Sequence, residues 1–93
     1  MQAQGSVLLF HAAGLHARPA VALTKLAKTF RSKVQVAADA AGPWIDAKSV
    51  VKVMGMKTPA QTLLHLRAEG DDSQAAVDAI VKLVNDDFSG APE

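Results

Sequence analysis

Within the seven-residue run Gly14-Leu15-His16-Ala17-Arg18-Pro19-Ala20, an imidazole and a guanidinium stand at the mouth of a helix whose start is fixed by a proline. Proline is favoured in the first helical turn, where its missing N–H would have gone unpaired. Arg18 runs against the local electrostatics. A helix N-terminus favours a nearby anion by about 0.3–1 kcal/mol, so a cation there is mildly unfavourable. A cation and free backbone N–H groups around one histidine make sense if an anion is sometimes present, and phosphate is the obvious candidate. Seen alone, a histidine before a helix is most often a surface residue, and an arginine there is usually just solvated. The full run, in a strand–loop–helix context, argues against that plainer reading.

The elements around the run follow from hydrophobic spacing. Ser6–Phe10 reads as a short, mostly apolar strand. From Ala17 to Phe30, Leu23, Leu26, Ala27 and Phe30 fall at i, i+3, i+4, i+7, one face of a helix, with Lys25, Lys28 and Arg31 toward its C-terminal half. The segment Lys33–Ala38 alternates, with Val34, Val36 and Ala38 on one face and Lys33, Gln35 and Ala37 on the other. Asp39–Pro43 should turn the chain into a second short strand, Trp44–Ala47. The segment Ser49–Met56 is ambiguous: its valines lean to strand, while Ser49 is a good N-cap. Thr62–Ala68 alternates with Leu64, Leu66 and Ala68 inward and Leu63, His65 and Arg67 outward. After the turn Gly70-Asp71-Asp72-Ser73, a helix on Val77, Ile80, Val81 and Val84 runs to about Asp86. Strands with one polar face suggest an antiparallel sheet with helices on a single side, an α+β domain.

Composition narrows the class. Ninety-three residues make one domain, here residues 1–88, with 89–93 as a flexible tail or linker remnant. The chain has no cysteine, which excludes disulfides and thiolate zinc sites. A net charge of +1 and 4% aromatic residues give no nucleic-acid footprint. No apolar run approaches the roughly 20 residues that span a bilayer. A soluble, cytoplasmic protein without membrane insertion is expected. His11, His16 and His65 lack the carboxylate or cysteine company of a metal site, so neither a metal nor a cofactor is expected.

Four segments together resemble the HPr family, the histidine-containing phosphocarriers of the bacterial phosphoenolpyruvate:sugar phosphotransferase system. They are Gly14–Ala20, Ala47-Lys48-Ser49-Val50, the turn Ala68-Glu69-Gly70 and the final Ala/Val/Leu helix, and the likeness runs from about Ser6 to Phe88. The resemblance implies a βαββαβα fold, a four-stranded antiparallel sheet with three helices on one face, and a short helix at Ser49–Met56. It implies that His16 accepts a phosphoryl group on its δ1 nitrogen from phosphorylated enzyme I and hands it to an enzyme IIA, assisted by Arg18. Such a chain is a stoichiometric carrier rather than a turnover enzyme, and a monomer is expected.

The residue types suit that chemistry. Histidine titrates at about 6.5, and a helix N-terminus disfavours imidazolium, so the imidazole stays a neutral nucleophile. Backbone N–H groups of Ala17 and Arg18 could then bind the phosphoryl oxygens, and the Arg18 fork could hold the group in transit. Phosphoryl transfer asks mainly for alignment and charge stabilisation. Small neighbours, Ala13, Gly14 and Ala17, leave the imidazole open to a second active site.

Around the histidine, Val50, Val51 and Met54 are candidates for an apolar docking patch or simply for core, and Lys48 and Lys52 would flank the patch and steer acidic partners. Ser49 caps its helix; in some members of the family a dedicated kinase phosphorylates the serine at this position. The sequence departs from common family members at Lys57 and Gln61, where glycine is frequent, and in a slightly long hairpin, 38–43. Other readings stay open: a nitrogen-related branch, an HPr-like domain of a larger protein, or a binding module acting through Ser49 and the adjacent helix without relaying phosphate.

Overall fold

Two eight-residue strands pair along their whole length and set the frame. The first strand, β1 (Gln2–Leu9), and the fourth, β4 (Thr62–Glu69), run antiparallel from Gln2↔Glu69 to Leu9↔Thr62. In the computed structural model, which describes residues 1–10, 17–86 and 88, β4 also pairs with β2 (Lys33–Ala37), and β2 with the two-residue β3 (Ile45–Asp46). All pairings are antiparallel and the order is β1-β4-β2-β3. With α1 (Ala17–Ala27), α2 (Val50–Gly55) and α3 (Ser73–Asn85), the chain is the expected βαββαβα α+β fold.

Period-two burial explains the layering. Ala3, Val7 and Leu9 of β1, Val34 and Val36 of β2, and Leu64, Leu66 and Ala68 of β4 share one core with Leu23, Ala27, Val53, Val77 and Ile80 from the helices. Gln4, Ser6, Leu8, Lys33 and Leu63 face the other way and are exposed. Gly5 sits on the inner face under α3. A Cβ there would meet Val77 Cγ1 at 2.9 Å, so its absence lets the helix approach the strand.

Several boundaries differ from the sequence reading. The first strand begins at Gln2 rather than Ser6, because pairing with β4 recruits Gln2 to Gly5, which carry little strand propensity of their own. The first helix ends at Ala27. Lys28–Phe30 follow as a tight turn, in which Thr29 and Phe30 N–H reach the carbonyls of Leu26 and Ala27 at 3.0 and 3.2 Å. Beyond β2 the chain bends, so Ala38 leaves the sheet exposed while Ala37, opposite His65, is buried. The strand placed at Trp44–Ala47 shrinks to Ile45–Asp46. The strand lean of Ser49–Met56 is overturned by a helix that buries only Val53. The last helix ends at Asn85 and buries Ala76 and Leu83 as well, leaving Val81 half-buried.

Asp72 precedes α3 but makes no side-chain cap bond. Its carboxylate reaches across the molecule instead. Arg31 and Ser32 N–H donate to it at 2.9 Å each, and Ser32 Oγ donates to Oδ1. These bonds, the Ser32 hydroxyl foremost, lower the carboxyl to about 2 from an ordinary 3.8. Gly70 (φ 142°) completes the clamp, since a Cβ there would lie 2.6 Å from Ser32 Oγ.

A group depressed on folding stabilises above its unfolded value, and that contribution is lost as pH falls toward the folded one. Asp72→Asn should therefore lower the thermal midpoint at neutral pH. The difference from wild type should shrink between about pH 4 and pH 2, as thermal melts across that range would show. Backbone strain is also stored at Lys57, Gln61 and Phe88, with φ 51°, 69° and 63°, the first two between α2 and β4. The left-handed region costs a residue with a Cβ about 1 kcal/mol or more relative to glycine. Lys57→Gly and Gln61→Gly should each raise the urea midpoint by up to about that much, less glycine's greater freedom in the unfolded chain.

Candidate functional site

The start of α1 lies at the end of the sheet where β1 stops and β4 begins. Ala17 and Arg18 are exposed there, and Pro19, in the first turn, is buried. That first turn holds no acidic residue, so nothing on the helix neutralises the positive end of its dipole or competes for an anion. The phosphoryl acceptor expected at His16 lies, with Gly14 and His11, in residues 11–16, outside the described residues. The described part of the candidate site is the exposed start of α1 and the helix packed against it.

The second helix packs against α1 and supplies the other half of the described site. Asp46 turns the chain into it, accepting Lys48 N–H at 2.9 Å on its side chain and Ser49 N–H at 3.1 Å on its carbonyl. Ser49 is the N-cap: its backbone is extended (φ −109°, ψ 108°) and its hydroxyl accepts from Lys52 N–H at 3.3 Å. With Val53 fully buried, helical spacing turns other apolar residues to water. Val51 is 77% exposed and Met54 41%. Val50 is half-buried and packs on the core, as does Met56.

The two lysines differ. Lys52 is exposed, whereas Lys48 is half-buried and its Nζ donates to the Phe30 carbonyl at 2.8 Å, just past the end of α1. This bond ties the start of α2 to the end of α1, a role the sequence could not indicate across 18 residues. Sequence reasoning also passed over Val21. It is 40% exposed on α1, one turn beyond Arg18, and its place off the Leu23–Leu26–Ala27 stripe was the available signal.

The remaining polar features lie elsewhere. On the sheet face away from the helices, a shallow groove is lined by Gln2, Gln4, Lys33, Gln35, Arg67 and Glu69. Arg67 stacks on Trp44, 4.2 Å from the ring centre, and donates from Nε to Gln35 Oε1 at 2.7 Å. His65 is half-buried beside them. Among the described residues no group of three or more His, Cys, Asp or Glu could hold a metal, and no helix is long and apolar enough to cross a membrane.

Comparison with known proteins agrees with this arrangement. The family described as "PTS HPr component phosphorylation site" matches residues 4–86. The chain is 36% identical over 83 residues to phosphocarrier protein HPr of Treponema pallidum, covering 89% of this chain and 92% of that one. It is 38% identical over 73 residues to a multiphosphoryl transfer protein of Vibrio cholerae, covering 77% of this chain but 18% of that longer protein. Among solved structures, HPr of Thermoanaerobacter tengcongensis superposes with a TM-score of 0.86 at 29% identity, over 97% of this chain and 99% of that one.

Loss of the cap on a six-residue helix should be felt. Ser49→Ala should destabilise the protein by about 1 kcal/mol, while Ser49→Asp keeps an acceptor and most of the stability. Urea unfolding of the two variants beside wild type measures the difference.

Proposed function

Since the chain belongs to the PTS HPr family, whose phosphorylation-site model spans residues 4–86, we propose that it is a phosphocarrier whose His16 takes a phosphoryl group from phosphorylated enzyme I and passes it to an enzyme IIA. The observation that carries the reading is the start of α1. An exposed helix N-terminus without an acid in its first turn bears an exposed arginine two residues after His16.

In the transfer, the imidazole nitrogen of His16 attacks the phosphorus and the bond from phosphorus to the donor atom of enzyme I breaks; in the second transfer the acceptor attacks and the bond to His16 breaks. The α1 dipole and the Ala17 and Arg18 N–H groups favour the phosphorylated form. Arg18 follows the phosphoryl oxygens with its planar guanidinium fork. Because the group must be reached by two different proteins, the chemistry gains from an open site rather than a closed pocket.

Docking is assigned to the exposed apolar residues of the two packed helices: Val21, Val51 and Met54, with half-buried Val50 beneath and Lys52 supplying charge for acidic partner surfaces. Lys48 contributes by holding α2 in place. Phosphorylation of Ser49 by a serine kinase would put two negative charges beside Val51 and Met54 and weaken that docking. The carrier works in the cytoplasm, and transfer needs a single copy.

Incubation with a cognate enzyme I, phosphoenolpyruvate and Mg2+ should add one acid-labile phosphate by mass, and His16→Ala should take none. Absence of phosphate on the wild-type chain would leave the non-relaying binding module as the better reading. Arg18→Ala should still accept one phosphate but more slowly. A loss of about tenfold is expected, below the roughly hundredfold of a preorganised donor in a water-excluded site, because Arg18 is exposed.

A further inference from the structure

Long polar side chains stand in two rows across the sheet face that carries no helix. Strand register puts Gln4, Arg67 and Gln35 side by side in one row and Gln2, Glu69 and Lys33 in the next. The rows lie two residues apart along each strand, about 7 Å. Both rows line the shallow groove on this face, whose volume of about 300 Å³ is the size at which small-molecule sites begin. The helices cover the opposite face, so what the groove binds is independent of whether His16 relays phosphate.

Arg67 is held before any ligand arrives. Its guanidinium carbon stands 4.2 Å from the centre of the Trp44 ring, and its Nε donates to Gln35 Oε1 at 2.7 Å. A guanidinium has five N–H donors in one plane, and this bond uses one of them. The Nη edge remains as a fork of the kind that takes a carboxylate through two parallel bonds. A fork fixed in advance loses little freedom on binding. Lys33 and Glu69 stand opposite one another in the β2–β4 register, and both are exposed. Among the described residues, neither has a salt bridge or a side-chain hydrogen bond.

The charges define the ligand. Lys33 and Glu69, directly opposite, have their Cβ atoms about 5 Å apart, and Arg67 stands about 7–8 Å from Lys33 on the diagonal. Glu69 works against a simple anion such as phosphate. Two cations and one anion in a triangle match a ligand with two anionic groups and one cationic group. We propose that the groove binds a dicarboxylic amino acid of the glutamate or aspartate type. One carboxylate sits on the Arg67 fork with the Gln4 amide beside it, the ammonium meets Glu69, and the second carboxylate meets Lys33. Arg67, Lys33 and Glu69 sum to +1 and such a ligand carries −1, so the complex is neutral. Exposed ion pairs are screened by water and salt, so the complex is weak, with a Kd of about 1 mM.

Trp44 is the single tryptophan of the chain, so its fluorescence reports on the stack directly. Titration with L-glutamate and with L-aspartate at constant ionic strength should give a saturating change for at least one of them, with a midpoint of about 1 mM. L-Glutamine lacks the second carboxylate and glutarate lacks the ammonium. Each should bind about threefold more weakly than glutamate, and inorganic phosphate more weakly still. Substitutions at the two exposed positions should change the preference rather than abolish binding. Lys33→Gln should bind glutamate and glutamine alike, and Glu69→Gln should bind glutamate no better than glutarate. Arg67→Lys keeps the charge but loses the fork, and should weaken glutamate several-fold. Because that change also alters the stack, its binding is read from the amide shifts of β2 and β4 by NMR. A response that grows linearly with every salt, phosphate binding as tightly as glutamate, or unchanged preferences in Lys33→Gln and Glu69→Gln would each overturn the proposal.

Discussion

Full-length pairing of β1 with β4 decides where everything else in the molecule can be. It joins residues 53 to 67 apart in sequence and brings the end of β1 beside the beginning of β4. The two helices α1 and α2 pack against one another. The same pairing gives the sheet one face to bury. All three helices must then share that face, and the short α2 buries only Val53 fully, with Val50 half-buried against the core. Exposure of Val51 and Met54 is thus a consequence of coverage: two longer helices already occupy most of the sheet, and a helix of six residues cannot turn all its valines inward.

Stability and accessibility are divided between the two ends of the molecule. At the end away from the α1 start, the Asp72 carboxylate ties the α1–β2 turn to the β4–α3 turn through three hydrogen bonds, and Gly70 leaves room for the contact. At the functional end the backbone is held less favourably. Lys57 and Gln61, between α2 and β4, occupy left-handed conformations that glycine would adopt without cost. The side chains retained there add charge and polarity next to α2 at the expense of strain in the loop that positions it.

How much of this could be read from the sequence depended on whether the signal was local. Alternation in Lys33–Ala38 and, apart from Leu63, in Thr62–Ala68, and the Leu23–Leu26–Ala27 stripe carry their periods on their own residues, so those elements were legible, although the burial of Ala37 and the exposure of Ala38 run against that reading. Gln2–Gly5 was not, because it is made a strand by β4 rather than by propensity. For Ser49–Met56, valine's strand preference spans only about 1 kcal/mol, and the cap together with burial of Val53 outweighs it. The resemblance to a known family resolved that segment where the residues alone did not. Asp72 read only as part of a local turn before the last helix, because its actual partners, Arg31 and Ser32, are about 40 residues away. Of the candidate site, Arg18 and Ser49 were legible as helix-start residues, whereas the bond from Lys48 to Phe30 arises from tertiary packing.

The electrostatics of the α1 start then bear on why a carrier uses a helix end at all. A phosphorelay needs the phosphohistidine to be neither too stable to pass on nor too unstable to form. A dipole worth a few tenths to about 1 kcal/mol, screened by solvent at an exposed helix start, biases the equilibrium without trapping it. A buried, fully bonded phosphate site would hold the group far more tightly, and one lined by acids would reject it. On the proposed reading, Arg18, long and exposed, would add a charge able to follow the phosphoryl group toward the approaching protein and withdraw again. Weak, open and adjustable stabilisation is what a group in transit requires, and an exposed helix start of this kind suits it.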